Sequence, residues 1–364
     1  MKEELEKKEK RTCLHDKHVA LGALMSPFGG FDMPIQYAGI APEHMAVREN
    51  VGVFDVSHMG EVTVRGVDAE RYVQHIFTND IAGAPTGKIY YGMMCYEHGG
   101  TVDDLLVYKM GENDFFLVIN AANIDKDWEW MQQHAKGFDI DLQNVSEHYG
   151  QIAVQGPQSE SAMENILGIP CAELSFYTVK TVGDVIVSRT GYTGEDGFEV
   201  YATPEYIREC WDKLVAAGVQ PCGLGCRDTL RFEVGLPLYG DELTEEISPV
   251  MAGLSMFVKL DKPEFIGKEA LLAQKTNGVE KKLVGIELAD KAIPRHGYTV
   301  LKDGESIGEV TTGYHTLSTD KSVCMALIDS SYAKLDTEVE IQIRKKTFSG
   351  KVVKKRFYDK HYKK

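Results

Sequence analysis

The chain has 364 residues, 43% of them apolar and 26% charged, which is enough for two or three domains with a sizeable core. Its formal net charge of −15 argues against general nucleic-acid binding, because phosphates are neutralised by clustered cations. No apolar run approaches the roughly 20 residues a membrane helix needs, and the seven scattered cysteines, an odd number, fit a reducing compartment rather than a disulfide framework.

Met1–Lys10 is a mixed string of Lys and Glu and reads as a frayed or helical extension, with no secretory signal, so a cytoplasmic protein is expected. Glu61–Arg65 alternates as a half-buried strand does. Asp68 stands as the cap of a helix with Tyr72, Val73, Ile76 and Phe77 on one face. Leu105–Tyr108 and Phe115–Ile119 are strand-like runs joined by Gly111-Glu112-Asn113-Asp114, hence a hairpin. A helix over Ile124 to Lys136 stops at Gly137. Gln151–Gln155 is a short strand, and Val182–Ser188 and Phe198–Tyr201 are strands flanking a glycine-rich turn. Thr203-Pro204 starts a helix that ends at Gly218, and another spans Gly225 to Val234. From Lys281 onward the pattern changes. Short apolar alternations (Leu283–Leu288, Thr299–Leu301, Ile307–Thr311, Cys324–Leu327, Val339–Ile343) indicate a separate β-barrel or jelly-roll domain, with its boundary near Thr276–Lys282. The class is α+β, with no fixed-period repeat and no G-x-G-x-x-G after a strand.

Four clusters could carry chemistry. His98-Gly99-Gly100-Thr101-Val102-Asp103-Asp104 puts two carboxylates at the start of a strand, where only one can face a given cavity. A turn with solvent-facing acids is the bland alternative. Gly191-Tyr192-Thr193-Gly194-Glu195-Asp196-Gly197-Phe198-Glu199 is a glycine-rich turn whose acids would repel phosphate but could grip a ligand offering N–H donors; a wide hairpin loop is the alternative. Gly223-Leu224-Gly225-Cys226-Arg227-Asp228 sets an Arg near a helix start, either as an ion-pair anchor to Asp228 or Glu233 or as a ligand contact. Cys222 and Cys226 lack a second pair and read as small core residues rather than metal ligands. Phe54-Asp55-Val56-Ser57-His58-Met59-Gly60 holds Asp, Ser and His too close together for triad geometry and lacks a nucleophile elbow. The segment from Arg344 to the end carries ten Lys or Arg against one acid, Asp359. It is either a solvated strand-and-tail surface or a local positive field for an anionic ligand or acidic partner.

Taken in order, these clusters resemble the aminomethyltransferase family of the glycine cleavage system. The resemblance rests on Phe31-Asp32-Met33-Pro34, Phe54 to Glu61, Thr78-Asn79-Asp80, Gly99-Gly100 to Asp103-Asp104, Asn120-Ala121-Ala122-Asn123 and Gln155-Gly156-Pro157. Arg189 to Gly197, Gly223 to Asp228 and Leu238-Tyr239-Gly240 complete it, from about Lys10 to the C-terminus. The resemblance implies three domains around a central hole: 1–54 with 142–230, a ferredoxin-like 55–141 with 231–276, and a C-terminal β-barrel over 280–364. It implies transfer of the methylene unit of an aminomethyl group, carried on the dihydrolipoyl arm of a lipoylated H-protein, to tetrahydrofolate, with no metal and no nucleic-acid or membrane partner. Tetrahydrofolate is the one-carbon acceptor. Residue by residue, Asp104 matches the family's essential acid and Glu199 its pterin-binding acid. Arg227 matches the donor to the pterin carbonyl, and Tyr91, Tyr108, Asn120 and Tyr192 match positions lining the pocket. Tyr362 is a weaker match to a folate-tail contact. Gly313-Tyr314-His315-Thr316-Leu317 departs from the family's usual Ser-Pro pair and is expected in a β-turn.

Two rivals share the architecture. The folate half of sarcosine or dimethylglycine dehydrogenases is preceded by a flavin region, for which a match beginning near residue 10 leaves no room. A non-catalytic folate-binding relative carries a cysteine-bearing K-G-C-Y motif, where this chain has Thr190-Gly191-Tyr192-Thr193-Gly194.

Overall fold

Two large sheets are assembled in one order of elements, strand, short helix, three antiparallel strands, helix, strand. The computed structural model describes residues 9–362, so most of the expected extension over Met1–Lys10 lies outside the described residues. The earlier unit uses Gly60–Arg65, helix Ala69–Ile76, Ile89–Cys95, Thr101–Gly111, Asp114–Ile119, helix Ile124–Gln133 and Asp141–Asn144. The later unit uses Gly150–Gln155, helix Ser159–Asn165, Val179–Val182, Val185–Ser188, Gly197–Ala202, helix Pro204–Ala216 and Gln220–Cys222. Within each sheet the strands stand side by side in the same sequence, except that Gly52–Asp55 is inserted before the last strand of the later one. No sequence repeat betrayed this duplication, because only alternation and turn positions recur, not residues.

Each sheet is covered on both faces. Helices pack on one face, Tyr72, Val73 and Trp130 in a core with Val62 and Val64 in the earlier unit, and Ile207 and Trp211 with Ile152 and Val154 in the later. The other faces meet across Tyr108, Phe116, Val118, Ile186 and Tyr201. The contact is joined at equivalent places in the two units, where Lys88 bridges Thr178 and the Ile89 and Val179 amides donate to Tyr177 and Gly87 carbonyls. Hence Gly60–Arg65 is not half-buried as its alternation suggested. Glu61 and Thr63 face the second sheet, and the Glu61 Oε2 and Thr63 hydroxyl find no partner there. Burial alone pushes the Glu61 carboxyl well above its usual range, so it is neutral.

Other expectations are adjusted by local chemistry. Asp68 precedes its helix but does not cap it. Its carboxylate takes the Arg71 guanidinium and the Asp139 amide instead. Phe77 is already extended past the helix end. Thr203 does cap, accepting from the Tyr206 amide at 3.4 Å. The helix Ile124–Gln133 ends early, and Gly137 takes a positive φ of 91° in the loop beyond.

The C-terminal unit is a closed barrel in the order Lys281–Leu288, Ser322–Asp329, Glu305–His315, Thr299–Lys302, Glu338–Ile343, Lys346–Val353. All five expected runs are strands. The sixth, Lys346–Val353, comes from the basic segment, where exposed Lys and Thr hide the alternation. Gly313-Tyr314-His315 is strand rather than turn, paired up to His315 opposite Ser322. A Cβ at Gly313 would lie 1.9 Å from the Pro294 carbonyl oxygen, so only glycine lets the strand pass. Residues 231–276 join barrel to sheet, packing Leu243, Ala252 and Leu271 between Met93 and Met325. Arg48 reaches across to the barrel, donating to the Ser318 hydroxyl as well as to Glu195, Glu233 and the Thr193 and Leu230 carbonyls.

Candidate functional site

Where the two sheets, the helix Leu224–Glu233, residues 234–257 and the tail over 354–362 converge, they enclose a cavity of 1190 Å³. It is lined by Tyr91, Asp104, Asn120, Tyr192, Arg227 and Tyr362, six of the eight positions the family resemblance singled out.

Asp104 is placed by strand alternation on Thr101–Gly111. It faces the cavity, and Asp103 faces away and is fully buried. The Tyr91 hydroxyl donates to Asp104 Oδ2 at 2.8 Å, and the Asn120 amide donates to Asp104 Oδ1 at 3.0 Å. Asn120 is itself held by Asp103, which accepts its backbone N–H at 3.0 Å and its side-chain amide at 2.8 Å. Asn123 adds a further bond to Asp103 at 2.7 Å. Behind them Asp127 is buried with neither oxygen bonded. Burial, then the neighbouring Asp103 carboxylate, push its carboxyl well above the usual range. Burial, then the Asp103 charge, push Asp104 up to about 7, against the bonds from Tyr91 and Asn120. A carboxyl so poised can take or return a proton near neutrality.

The glycine pair ahead of it has no ligand role. A Cβ at Gly100 would sit 1.7 Å from the Glu245 carbonyl oxygen, and His98 Nε2 lies 2.9 Å from that same oxygen.

Arg227 lacks the ion pair its neighbours suggested. Asp228 and Glu242 accept from Arg231, each at 2.7 Å, and Glu233 accepts from Arg48 at 3.1 Å. The Arg227 guanidinium lies 4.9 Å over the Tyr192 ring, with a buried Nη1 that has no partner. A buried cation with an unused N–H demands an acceptor, so this wall is built for a carbonyl or an anion.

Glu199 and Tyr108 stand one layer behind the cavity wall rather than on it. Glu199 accepts from the Thr190 hydroxyl at 2.5 Å and the Gln151 amide at 3.2 Å. Tyr108 is fully buried, and its hydroxyl meets that of Tyr201 at 2.8 Å. The other acids of the glycine-rich turn are taken internally, Glu195 by Arg48 and Asp196 by Arg189. Gly191 packs against the Gln155 amide, and a Cβ there would fall 1.9 Å from Gln155 Oε1 and displace that side chain.

The Asp-Ser-His run is no triad. Asp55 is bound by His18 at 2.8 Å and Thr12 at 2.6 Å. His58 instead lines the cavity beside Phe28, its Nδ1 unpartnered and its pKa lowered to about 4, mainly by burial. Cys222 and Cys226 are buried core residues, as expected.

Several lining residues carried no sequence signal. Phe176 stacks on Tyr362 at 4.1 Å, and Tyr177 holds a φ of 63°, a conformation non-glycine residues rarely adopt. From the basic segment, Lys354, Lys355, Arg356 and Lys360 line one side of the cavity. Burial lowers Lys355 to about 8 and pulls Lys360 down as well.

Comparison with known proteins agrees with this architecture throughout. Residues 14–262 match the GCVT N-terminal domain family and residues 281–359 the glycine cleavage T-protein C-terminal barrel domain family. A protein of Lysinibacillus sphaericus named aminomethyltransferase is 49% identical, over 96% of this chain and 98% of its own length. One of the same name from Thermoanaerobacter pseudethanolicus is 46% identical, over 98% and 99%. The solved glycine cleavage system aminomethyltransferase T of Bartonella henselae superposes with a TM-score of 0.94 at 31% identity, over 98% of this chain and 99% of that one.

Proposed function

The chain belongs to the aminomethyltransferase family of glycine cleavage T-proteins, and from that premise we propose how its residues carry out the transfer. It is an aminomethyltransferase of the glycine cleavage system. The donor is the aminomethyl group on the dihydrolipoyl sulfur of a lipoylated H-protein, and the acceptor is tetrahydrofolate. Two bonds form, from the methylene carbon to the two folate nitrogens. Two break, from that carbon to sulfur and to the amino nitrogen. The folate nitrogens lose two protons, and one ends on the thiol and one on ammonia, so 5,10-methylenetetrahydrofolate, ammonia and the reduced lipoyl arm leave.

The observation that carries this reading is the placement of Asp104 and Arg227 on one cavity with different chemistry. Asp104, held by Tyr91 and Asn120 and poised near neutrality, suits the reacting end. It stabilises the iminium-like positive charge that develops on the methylene and receives the amine proton. Arg227, unpaired, suits the pterin carbonyl, with Tyr192 packed beneath its guanidinium. Glu199 accepts from the pterin amino group and ring N–H as a two-point contact; Glu199 stands one layer back, so ligand entry must open the wall to it. Tyr362 and the basic residues 354–360 support a place for the folate glutamates, whose carboxylates they match in charge. His58, neutral and unpartnered, adds a polar contact on the same wall. No described helix is long and apolar enough to cross a membrane, and the expected location is the cytoplasm.

The test is an omission series. Ammonia and methylenetetrahydrofolate should form together from aminomethyl-loaded H-protein only when the chain and tetrahydrofolate are both present. Tight tetrahydrofolate binding without product would leave only the binding-module reading.

A further inference from the structure

Behind the cavity wall the buried hydroxyls form a file that ends on a carboxylate. Glu199 Oε2 meets Thr190 Oγ1 at 2.5 Å, Thr190 Oγ1 meets Ser188 Oγ at 2.6 Å, Ser188 Oγ meets the Tyr108 hydroxyl at 3.3 Å, and Tyr108 meets Tyr201 at 2.8 Å. No member is more than 6% exposed. Thr190 Oγ1 is the donor to Glu199 Oε2, and each hydroxyl has a single hydrogen to give. Thr190 can therefore only accept from Ser188. Ser188, its hydrogen used, can only accept from Tyr108, and Tyr108 only from Tyr201. One carboxyl thus orients four hydroxyls.

The file also crosses between the sheets. Ser188, Glu199 and Tyr201 belong to the later sheet, and Tyr108 belongs to the earlier one, on the strand that carries Asp104. Phenylalanine at 108 and 201 would fill the same apolar contact with Phe116 and Ile186 without any of these bonds. Packing alone gives no reason for the hydroxyls.

We propose that the file Tyr201–Tyr108–Ser188–Thr190 is a positioning device that holds Glu199 aimed for the pterin edge, so that folate recognition on one sheet depends on how the other is docked. The proposal rests on the reading of Glu199 as the pterin-binding acid. Polarised chains of this kind strengthen toward the charged end, so each successive link should matter less. Burial raises the Glu199 pKa, and the Thr190 bond, the Arg227 charge and the Gln151 bond oppose it. The other groups facing this pocket are Tyr108 from the earlier sheet and Tyr177 from the loop beside it, with Glu61 next to Tyr201. None of these is a cation that could replace the lost donor. Removing a link leaves burial less opposed, so the carboxyl takes its proton at a higher pH.

The experiment is tetrahydrofolate binding to the full chain by calorimetry, from mildly acidic to mildly alkaline pH. Thr190→Val, Tyr108→Phe and Tyr201→Phe are compared with Glu199→Gln. Glu199→Gln should weaken binding the most. Thr190→Val should weaken it about tenfold and the two Phe variants about two- to threefold, in keeping with one charge-assisted bond and with remoter links. The acid-side midpoint of binding should move to higher pH in the same order. Unchanged affinity and midpoint in Thr190→Val and Tyr108→Phe, beside a weakened Glu199→Gln, would overturn the positioning role and leave the reading of Glu199 standing. Unchanged affinity in Glu199→Gln would overturn that reading and this proposal with it. Should Thr190→Val fail to fold, Ser188→Ala reads the next link by the same criteria.

Discussion

The sheet that carries Asp104 and the sheet that carries Glu199 share one order of strands and helices, yet they present opposite chemistry to the cavity between them. The earlier sheet gathers acids. Asp103, Asp104 and Asp127 crowd beside Asn120 and Asn123, where burial and the Asp103 carboxylate raise Asp104 to about 7 and Asp127 well above its usual range. The later sheet and its following helix leave Arg227 unpaired and ready for an acceptor. A duplicated framework supplies two walls at fixed separation, and side-chain choice alone divides the work. On the proposed reading, the earlier wall acts on the reacting carbon and the later recognises the ring.

That division is open to direct attack. The largest effect should come from Asp104→Asn, with turnover down about 10²–10³-fold through loss of charge stabilisation in the transition state. Arg227→Met should weaken tetrahydrofolate binding by about 30-fold or more, the value of a buried charged hydrogen bond, with turnover at saturation far less affected. Asp103→Asn removes an acceptor of three N–H bonds and a negative charge beside Asp104. Turnover should fall about tenfold as Asn120 loosens, and the pH dependence should shift as well. In the wild type the base form of Asp104 gains as pH rises, so turnover should climb through about 7. Without the Asp103 charge that midpoint should move to lower pH. An unmoved midpoint would mean that Asp104 is not the titrating group.

The smallest effect should appear where the sheets meet. Glu61 is neutral in the folded chain but ionised above its ordinary carboxylate range when unfolded, so folding takes up a proton at neutral pH. Its contribution is present at acid pH and is lost as pH rises above the unfolded value. Glu61→Gln removes that dependence. The variant should melt higher than the wild type near neutral pH, and the gap should close toward pH ~4. Equal melting temperatures at both pH values would show that Glu61 keeps a partner.

Much of this was readable from sequence, for particular reasons. Alternation placed the barrel strands and the Asp104 hairpin, because exposed and buried positions there differ in polarity. It failed at Gly60–Arg65, where a second sheet buries the polar side as well. It also missed the last barrel strand, whose outward Lys residues resemble a tail. The motif order singled out eight positions, six of which line the cavity, but not the layer in which each residue stands. Tyr108 shares the face of Asp104, four residues further along its strand, and Glu199 shares the face of Tyr201 on the other sheet; both lie where the two sheets close on each other rather than at the cavity. The unpaired state of Arg227 depends on Arg231 and Arg48 taking the nearby acids, contacts made by residues 3 to 185 positions apart. His58 was visible only as a member of a failed triad. Tyr177 had no signal at all, since its backbone conformation is imposed by the junction between the sheets.

The division of labour is tested most directly by measuring saturated turnover and tetrahydrofolate affinity side by side in Asp104→Asn and Arg227→Met, with aminomethyl-loaded H-protein as donor. The expected pattern is a large loss of turnover with nearly unchanged affinity in the first, and a large loss of affinity with mostly retained turnover in the second. Equal losses of both quantities in both variants would contradict it, and would mean that the two walls act as one.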